Sequence, residues 1–319
     1  MVQMKSKRKI TITGGSGFVG RILRSGLGRQ GYRIEVFDTM SGFLVDVLRH
    51  RTLGTATSQT VQDLAKKFRH TQARIERSLV RHHVIQPTQD DILDTPDRLT
   101  ERFRGSYAVI HLAGLPHPKV PGMTPADFKR INYEGSINVF EAARSAGVEK
   151  FIFASSAQVY DINSASHIEQ FPILETNYLP TIADGQSHYG FLKGEFERYL
   201  MQKCTGHDIQ AVALRLEFPG VRSTYPWNYF ISTSVENTVN GFGQALETDL
   251  GTGFETFNLA DRYVDPKTVN IQEFLKAKLP GIPNHTTGNE CLLSTEKARS
   301  LLGYNPKPDG TYFSFNVMW

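Results

Sequence analysis

Tyr189 and Lys193 stand four residues apart and bring together two side chains suited to acid–base chemistry. On a helix, residues at this spacing lie on one face, so the Lys193 ammonium would favour the ionised phenol and lower its pKa. Ser156, upstream at the end of an apolar run, adds a hydroxyl able to hydrogen-bond to the same reacting oxygen. Tyr-x-x-x-Lys alone is common on solvated helices. Its combination with Ser156 and with the motifs below predicts proton exchange coupled to hydride transfer.

A glycine-rich turn close to the N-terminus predicts a dinucleotide site. The apolar run Lys9-Ile10-Thr11-Ile12-Thr13 leads into Gly14-Gly15-Ser16-Gly17-Phe18-Val19-Gly20, and a helix is expected from there to about Gln30. The glycines match Gly-x-Gly-x-x-Gly and Gly-x-x-Gly-x-x-Gly equally, so both patterns stay open. In either, the backbone approaches a pyrophosphate, and N–H groups of a helix N-terminus meet its charge. The predicted cofactor-binding residues of this turn are Gly14, Gly17, Phe18, Val19 and Gly20.

Asp38 is expected to select the form of the dinucleotide. It follows a second apolar strand, Ile34-Glu35-Val36-Phe37, at the position where a ribose-binding carboxylate is expected. A carboxylate accepts hydrogen bonds from ribose hydroxyls and repels a phosphate on the ribose, so this residue favours NAD over NADP. Arg21 and Arg33 would soften that preference.

Further short motifs occur in order along the chain. They are Asp91-Ile92, His111-Leu112-Ala113-Gly114 after an apolar run, Asn132 to Val139, Ser294 to Arg299, and Leu301 to Pro306. With the glycine turn and the Tyr189–Lys193 pair, they resemble the extended short-chain dehydrogenase/reductase family, in its NAD-dependent epimerase/dehydratase group, from about Lys9 to Pro306. The resemblance implies NAD as cofactor, a homodimer, and catalysis by Ser156, Tyr189 and Lys193, the last two also against the cofactor. It implies further cofactor contacts at Asp91, Ile92, Leu112, Ala113 and Gly114.

Strand and helix patterns alternate up to about Leu216, which with right-handed crossovers predicts an α/β fold with a doubly wound parallel sheet of Rossmann type. We expect residues 1–215 to form the NAD-binding domain and residues 216–319 a smaller C-terminal substrate-binding lobe. The predicted site residues should then gather at the carboxyl ends of the strands.

An unusually long segment separates Asp38 from Asp91, more than a crossover in this fold needs. Within about 41–83, apolar residues recur along one side of a helix and basic residues line the others. The pattern is typical of an elongated crossover helix with a solvated face, and an oligomer contact or a rim attracting an anionic substrate are the alternatives. Nucleic-acid binding is not expected, because aromatic platforms and a recognition motif are missing from the sequence.

Composition limits the other classes. The chain has 39% hydrophobic residues and a formal net charge of +4, enough apolar content for a large core. No run approaches transmembrane length and the start lacks an apolar signal core, so we expect a cytoplasmic protein without membrane contact. Cys204 and Cys291 have no metal-ligand spacing, and we expect ordinary thiols and no metal site.

The substrate is the least determined feature. Arg215, at the end of an apolar run, would clamp a substrate carboxylate bidentately or pair inside the fold, and these alternatives stay open. Ser156 and His117 are the other candidate substrate-binding residues, whereas His111 is expected to be structural, and Asn132 either caps its helix or supports the site.

The segment after Arg215 departs from the nucleotide-sugar enzymes of the family. Leu216-Glu217-Phe218-Pro219-Gly220 lacks the usual Asn, and only a few residues separate it from Trp227-Asn228-Tyr229. A shortened lobe is similar to the uronate dehydrogenase branch. It favours an NAD-dependent dehydrogenase of a small sugar or sugar acid. A nucleotide-sugar epimerase or dehydratase with tightly held NAD is the alternative, and a dinucleotide sensor without turnover is a lesser one.

Overall fold

Six parallel strands form one sheet in the part of the chain that the computed structural model describes, which is residues 8–39, 90–115, 124–184, 188–204 and 209–313. The strands are β1 (Lys9–Thr13), β2 (Arg33–Phe37), β3 (Ala108–His111), β4 (Lys150–Ser156), β5 (Gln210–Leu216) and β6 (Gly253–Leu259). Their order is β2-β1-β3-β4-β5-β6, and each neighbouring pair runs parallel. The winding reverses between β1 and β3, which confirms the predicted doubly wound sheet. The basic segment 41–83 and His117 lie outside the described residues.

Helices cover both faces of the sheet. They are α1 (Phe18–Arg29), α2 (Pro96–Phe103), α3 (Pro125–Lys129), α4 (Gly135–Ser145), α5 (His188–Lys203), α6 (Val235–Glu247) and α7 (Ile271–Lys278). A π-helical turn, Arg130–Glu134, joins α3 to α4. Helices α1 and α6 pack together on one face, and α2 packs on α4 on the other.

Alternation along the central strands builds two separate cores. In β4, Ile152 points to the layer of α1 and α6, whereas Phe151 and Phe153 point to the layer of α2, α4 and α5. In β5, Val212 and Leu214 point to the same layer as Ile152, that of α1 and α6, whereas Ala211 and Ala213 point to the layer of α2, α4 and α5. Strands buried on both faces read as continuous apolar runs, which explains why the sequence pattern located them.

A third core forms the lobe beside the carboxyl ends of the strands. Its buried side chains come from two stretches of chain, Ala157 to Ile173 and Tyr229 to Leu293. The domain boundary expected at residue 215 stays a prediction. In the structure, β6 and α6 follow that residue and belong to the sheet layers, and part of the core of the lobe precedes it.

None of the helices in the described ranges is both long and apolar enough to cross a membrane. Within the same ranges, no cluster of three or more histidine, cysteine, aspartate or glutamate side chains is arranged to hold a metal ion.

Candidate active site

The glycine turn after β1 is folded tightly against the end of β3. Gly14 has φ +68°, and a Cβ at this position would lie 2.7 Å from the backbone nitrogen of Ala113. Only glycine fits, because both the left-handed backbone and the close approach exclude a side chain. The Gly14 N–H donates to the Phe37 carbonyl at 2.9 Å, so the ends of β1, β2 and β3 meet at this turn.

Gly17 and Gly20 open the first turn of α1 to a ligand. A Cβ on Gly20 would lie 2.6 Å from the carbonyl oxygen of Gly14, so this glycine lets the helix press against the turn. Gly17 is the N-cap residue and supplies no side chain to the first N–H groups of the helix. Those groups stand at the positive end of the helix dipole, which is where a pyrophosphate binds. Phe18 and Val19 follow, each partly exposed, with the Phe18 ring 5.7 Å from that of Phe313.

Asp38 lies at the carboxyl end of β2, as predicted, and its carboxylate closes the glycine turn. One carboxylate oxygen accepts from the backbone N–H of Ser16 at 2.8 Å. Burial raises the pKa of Asp38, while the bond from Ser16 and the charge of Arg24 lower it. Arg24, on α1, is therefore the basic group beside this carboxylate, whereas Arg33 lies at the opposite end of β2.

The loop after β3 is held by Asn132. Its side-chain oxygen accepts from the Leu115 N–H at 2.7 Å, and its amide nitrogen donates to the Leu115 carbonyl at 3.0 Å. Gly114, with φ +153°, passes so close that an added Cβ would lie 3.0 Å from the same Asn132 oxygen. Asn132 is buried in the π-helical turn and fixes the backbone of Leu112, Ala113 and Gly114 beside the glycine turn, so it is more than a helix cap.

His111 has a structural role, as the sequence suggested. Its ring is fully buried, with Nδ1 2.7 Å from the Thr13 hydroxyl and Nε2 2.9 Å from the Ser136 hydroxyl. Ser136 donates its own proton to the Asn132 carbonyl, so Nε2 must be the protonated nitrogen. Burial, together with the charge of Lys193, lowers the pKa of His111 to about 3. A neutral imidazole that is bonded on both sides positions β3 and takes no part in proton transfer.

Asp91 and Ile92 lie at the margin of this cleft with different surroundings. Asp91 is exposed and accepts from the Leu93 N–H at 3.0 Å. Ile92 is buried in the core beneath α4, where a Cβ on Gly135 would lie 2.7 Å from its Cδ1. Ile92 can therefore meet a ligand through its backbone, while its side chain supports the rim.

Ser156, Tyr189 and Lys193 come together where β4 ends. Ser156 lies beside Tyr189, where its hydroxyl lowers the pKa of the phenol, and the Lys193 ammonium lies 5.8 Å from the centre of the Tyr189 ring, on the same face of α5. Lys193 donates to the carbonyl of Ala154 at 2.8 Å and lies 4.5 Å from the ring centre of Phe153. The lysine is thereby tied to the strand whose last residue is Ser156.

The expected depression of the Tyr189 pKa is not found. Burial raises the pKa of Tyr189, the negative charge of Glu217 raises it further, and the bond from Ser156 lowers it. Burial also lowers the pKa of Lys193 to about 8, partly opposed by Glu197. Desolvation disfavours the charged form of each group, the phenolate of Tyr189 and the ammonium of Lys193.

Arg215 pairs inside the fold, which is the second of the two roles that the sequence left open. Its guanidinium is buried and paired with Glu197, with Nη2 2.5 Å from a carboxylate oxygen and Nε at 3.1 and 3.2 Å. Its Nη1 donates to the Tyr160 hydroxyl and to the Glu175 carbonyl. A guanidinium whose donors are taken inside the fold is not available to a ligand, so the second of the two roles left open by the sequence applies.

A model of the NAD dependent epimerase/dehydratase family matches residues 10–219. The chain belongs to this family. UDP-glucose 4-epimerase of Mus musculus is 30% identical over 267 residues, covering 78% of this chain and 69% of that protein. Two solved structures share the fold. One is a short-chain dehydrogenase/reductase superfamily protein from Agrobacterium tumefaciens with bound NAD, at a TM-score of 0.62 and 20% identity, covering 94% and 93% of the two chains. The other is a mutated uronate dehydrogenase, at a TM-score of 0.59 and 18% identity, covering 95% of this chain and 82% of that chain.

This member of the NAD dependent epimerase/dehydratase family has a turn that fits the cofactor. The uncapped N-terminus of α1 and the carboxylate of Asp38 match the pyrophosphate and the ribose of a dinucleotide in charge and in hydrogen-bonding capacity. The expectation of an NAD-dependent enzyme is therefore confirmed at the level of the family. The cofactor, when bound, supplies a nicotinamide ring that accepts or returns hydride.

Two carboxylates of this family member were missed by the sequence analysis. Glu197 continues the spacing of Tyr189 and Lys193 by one further turn, so that spacing could have located it. Glu217 follows β5 and accepts from the Gln158 amide at 3.0 Å and from the Ser156 hydroxyl at 3.4 Å. The sequence offered one indication of a role for Glu217: it is a glutamate in an apolar run, at a point where the sequence departs from the family pattern.

Proposed function

We propose that this protein is an NAD-dependent oxidoreductase that transfers hydride between the nicotinamide and a hydroxyl or carbonyl of a small sugar. The contact between Ser156 and Tyr189 at the mouth of the parallel sheet, with Lys193 behind them, carries the proposal. The residues that would hold the cofactor are Gly14, Gly17, Phe18, Val19, Gly20, Asp38, Asp91, Ile92, Leu112, Ala113 and Gly114.

Tyr189 is the acid–base residue in this proposal. Its phenol takes the proton of a substrate hydroxyl during oxidation and returns it to the carbonyl oxygen during reduction. The raised pKa of Tyr189 makes the neutral phenol the resting form, so oxidation needs its ionised form to be stabilised at the moment of transfer. The Lys193 ammonium, whose pKa is lowered to about 8, supplies positive charge on the same helix face.

Ser156 would bind the same substrate oxygen. Its hydroxyl is buried at the end of β4 and accepts from the Gln158 N–H at 3.1 Å, which fixes the position of its oxygen. A fixed donor or acceptor at the reacting oxygen stabilises the charge that develops there.

An uncharged sugar suits the site better than a sugar acid. Arg215 is taken by Glu197, and the nearest additional charge is the carboxylate of Glu217, which would repel an anionic substituent. The short segment from Val221 to Pro226 likewise gives little chain with which to enclose a nucleotide.

A UDP-hexose 4-epimerase is the second candidate. The similarity to UDP-glucose 4-epimerases favours it, since the same acid–base chemistry would then act on a nucleotide-linked sugar. An epimerase reoxidises its own cofactor in each cycle and tends to retain it, whereas a dehydrogenase must exchange it.

Nucleotide release from the freshly purified protein separates the two. The protein is denatured and the dinucleotide per chain is measured by chromatography, and in parallel the intact protein is given NAD and a panel of free hexoses, hexuronates and UDP-hexoses. The proposal expects little bound dinucleotide and NADH formation with a free neutral sugar. Near-stoichiometric NAD together with interconversion of UDP-glucose and UDP-galactose would instead establish the epimerase.

We further propose that the enzyme works in the cytoplasm as a homodimer. The helices that carry Asn132 and Tyr189 are those through which the family often pairs, and they contact each other within this chain. Sedimentation of the purified protein tests the dimer.

A further inference from the structure

Glu217 places a carboxylate inside the proposed active site. Its side chain is 6% exposed and lies just after β5, where it receives bonds from the Gln158 amide, the Ser156 hydroxyl and Asn228. Each of these three partners is neutral. The Glu217 carbonyl also accepts from Thr233, so the backbone that positions the carboxylate is held by the lobe.

No ion pair compensates this carboxylate among the residues that the structure describes. The two buried cations of the neighbouring elements α5 and β5 bond elsewhere, Lys193 to the Ala154 carbonyl and Arg215 to Glu197. The ionisable group whose charge interacts with Glu217 is Tyr189, and burial raises the pKa of Glu217 to about 7. A buried charge without a counter-ion destabilises a fold, so its presence beside the catalytic hydroxyls points to a use.

Ser156 connects the two groups through a single proton. Its hydroxyl donates to the Glu217 carboxylate at 3.4 Å and lies close enough to the Tyr189 phenol to lower the pKa of that phenol. It has one proton to donate, so it cannot stabilise a carboxylate and a phenolate at the same time. The two acidic groups therefore compete for one donor as well as repelling each other.

We propose that Glu217 is a positioning residue that sets the direction of the Ser156 hydroxyl and, through it, the ease with which Tyr189 releases its proton. The inference rests on the proposed acid–base role of Tyr189. With Glu217 ionised, Ser156 donates to the carboxylate and can only accept, which suits a substrate hydroxyl. With Glu217 protonated, its acid proton can bond to the Ser156 oxygen, and the Ser156 proton is free to bond to a phenolate or to a substrate carbonyl.

The first arm of the test needs no substrate. In protein labelled with ¹³C at the glutamate carboxyl, the Glu217 signal is assigned as the one missing from Glu217→Gln, and its titration is followed by NMR. We expect a midpoint near neutrality that rises when Ser156→Ala removes the donor to the ionised form. Ser155→Ala is the matched control, since Ser155 donates to Glu197 at 2.6 Å, and it should leave the midpoint unchanged.

The second arm measures the pH profile of kcat/KM for whichever sugar of the panel reduces NAD. Glu217→Gln should remove the change in kcat/KM near neutral pH that comes from titration of Glu217. The pH dependence of sugar oxidation should also shift to lower pH, because Tyr189 then ionises without a neighbouring negative charge. Glu175→Gln is the matched control. This half-buried carboxylate accepts from the Asn258 N–H at 2.8 Å and does not touch Ser156, so its loss should leave the profile as in the unaltered enzyme.

The two arms separate the possible failures. The inference is overturned if Ser156→Ala leaves the titration midpoint of Glu217 unchanged, or if Glu217→Gln leaves the pH profile of kcat/KM unchanged. A coupled Glu217 in a protein that reduces NAD with no sugar counts against the proposed function alone.

Discussion

Two glutamates near the proposed catalytic residues, Glu197 and Glu217, show how the same side chain is stabilised in different ways. Glu197 is buried, but Arg215 neutralises it and the Ser155 hydroxyl donates to it. Glu217 is buried to a similar extent and meets only neutral donors. The first arrangement gives a buried ion pair that supports the fold, and the second gives a carboxyl group that can change its charge near neutral pH.

The difference predicts how stability depends on pH. Because the pKa of Glu217 is raised in the folded state to about 7, the unaltered protein loses stability as pH rises from the unfolded-state value through about 7. Glu217→Gln lacks this titration, so its free energy of unfolding relative to the unaltered protein should increase by up to about 3 kcal/mol over that range. Urea unfolding at acidic and neutral pH measures the difference, and a constant offset at all pH values would contradict it.

Asp38 predicts the choice between the two dinucleotides. Asp38→Asn keeps an oxygen to accept from the Ser16 N–H but removes the charge, with Arg24 close by. The ratio of NADP to NAD affinity, measured by quenching of protein fluorescence, should rise on the order of tenfold or more, equivalent to about 1.4 kcal/mol of relieved repulsion. An unchanged ratio would place the ribose phosphate away from this carboxylate.

At the scale of the element, the expected dinucleotide site is formed jointly by β1, the glycine turn that follows it, and α1. The turn is closed by backbone contacts between Gly14, Gly20 and Ala113, which leaves the first N–H groups of α1 facing the ligand. The geometry depends on missing side chains at specific points rather than on glycine content in general.

Two glycines of α1 test this dependence. Gly20→Ala puts a methyl group 2.6 Å from backbone atoms of the turn, so the turn must open and NAD affinity should fall on the order of tenfold or more. Gly28→Ala is the matched control in the same helix, because nothing lies within 4 Å of its added Cβ. That variant should bind NAD normally and gain about 0.5–1 kcal/mol in stability. Equal effects of the two changes on NAD affinity, measured by calorimetry, would contradict this account of the turn.

At the scale of the whole molecule, one buried polar network joins the sheet to the lobe. Arg215 on β5 contacts Glu197 on α5 and the Tyr160 hydroxyl, and Tyr160 in turn donates to Asn258 on β6. Because the lobe comes from two stretches of chain, these bonds fix its position over the carboxyl ends of the strands.

Removing the Arg215 side chain should therefore lower the stability of the protein strongly. Arg215→Met leaves the Glu197 charge buried without its partner, and the free energy of unfolding should fall by about 3–5 kcal/mol. Arg222→Met is the control. Its ion pair with Asp265 is partly exposed, and the loss should be below about 1 kcal/mol. Similar losses for both variants in urea unfolding would show that the buried network does not hold the lobe.

The sequence predicted the parallel sheet because strands buried on both faces give continuous apolar runs. Gly14 and Asp38 were found from their places directly after β1 and β2, whereas the contacts that constrain Gly14 come from Ala113, far along the chain. Arg215 and Glu217 could not be assigned in this way. Their partners lie on α5, after β4 and in the lobe, and no spacing along the chain shows which buried charge will meet a counter-charge. The expected lowering of the Tyr189 pKa was wrong for a related reason, since the burial that raises this pKa is a property of the assembled fold.

The most direct test of the account is the comparison of Tyr189→Phe with the unaltered enzyme in both NAD affinity and hydride transfer. The affinity is measured by calorimetry, and the transfer is measured as NADH absorbance with the sugar panel. We predict an unchanged affinity within about a factor of three and a loss of at least about a thousandfold in NADH formation, because general acid–base catalysis supplies rate enhancements of that order. Full NADH formation by Tyr189→Phe would contradict the assignment of Tyr189 as the acid–base residue.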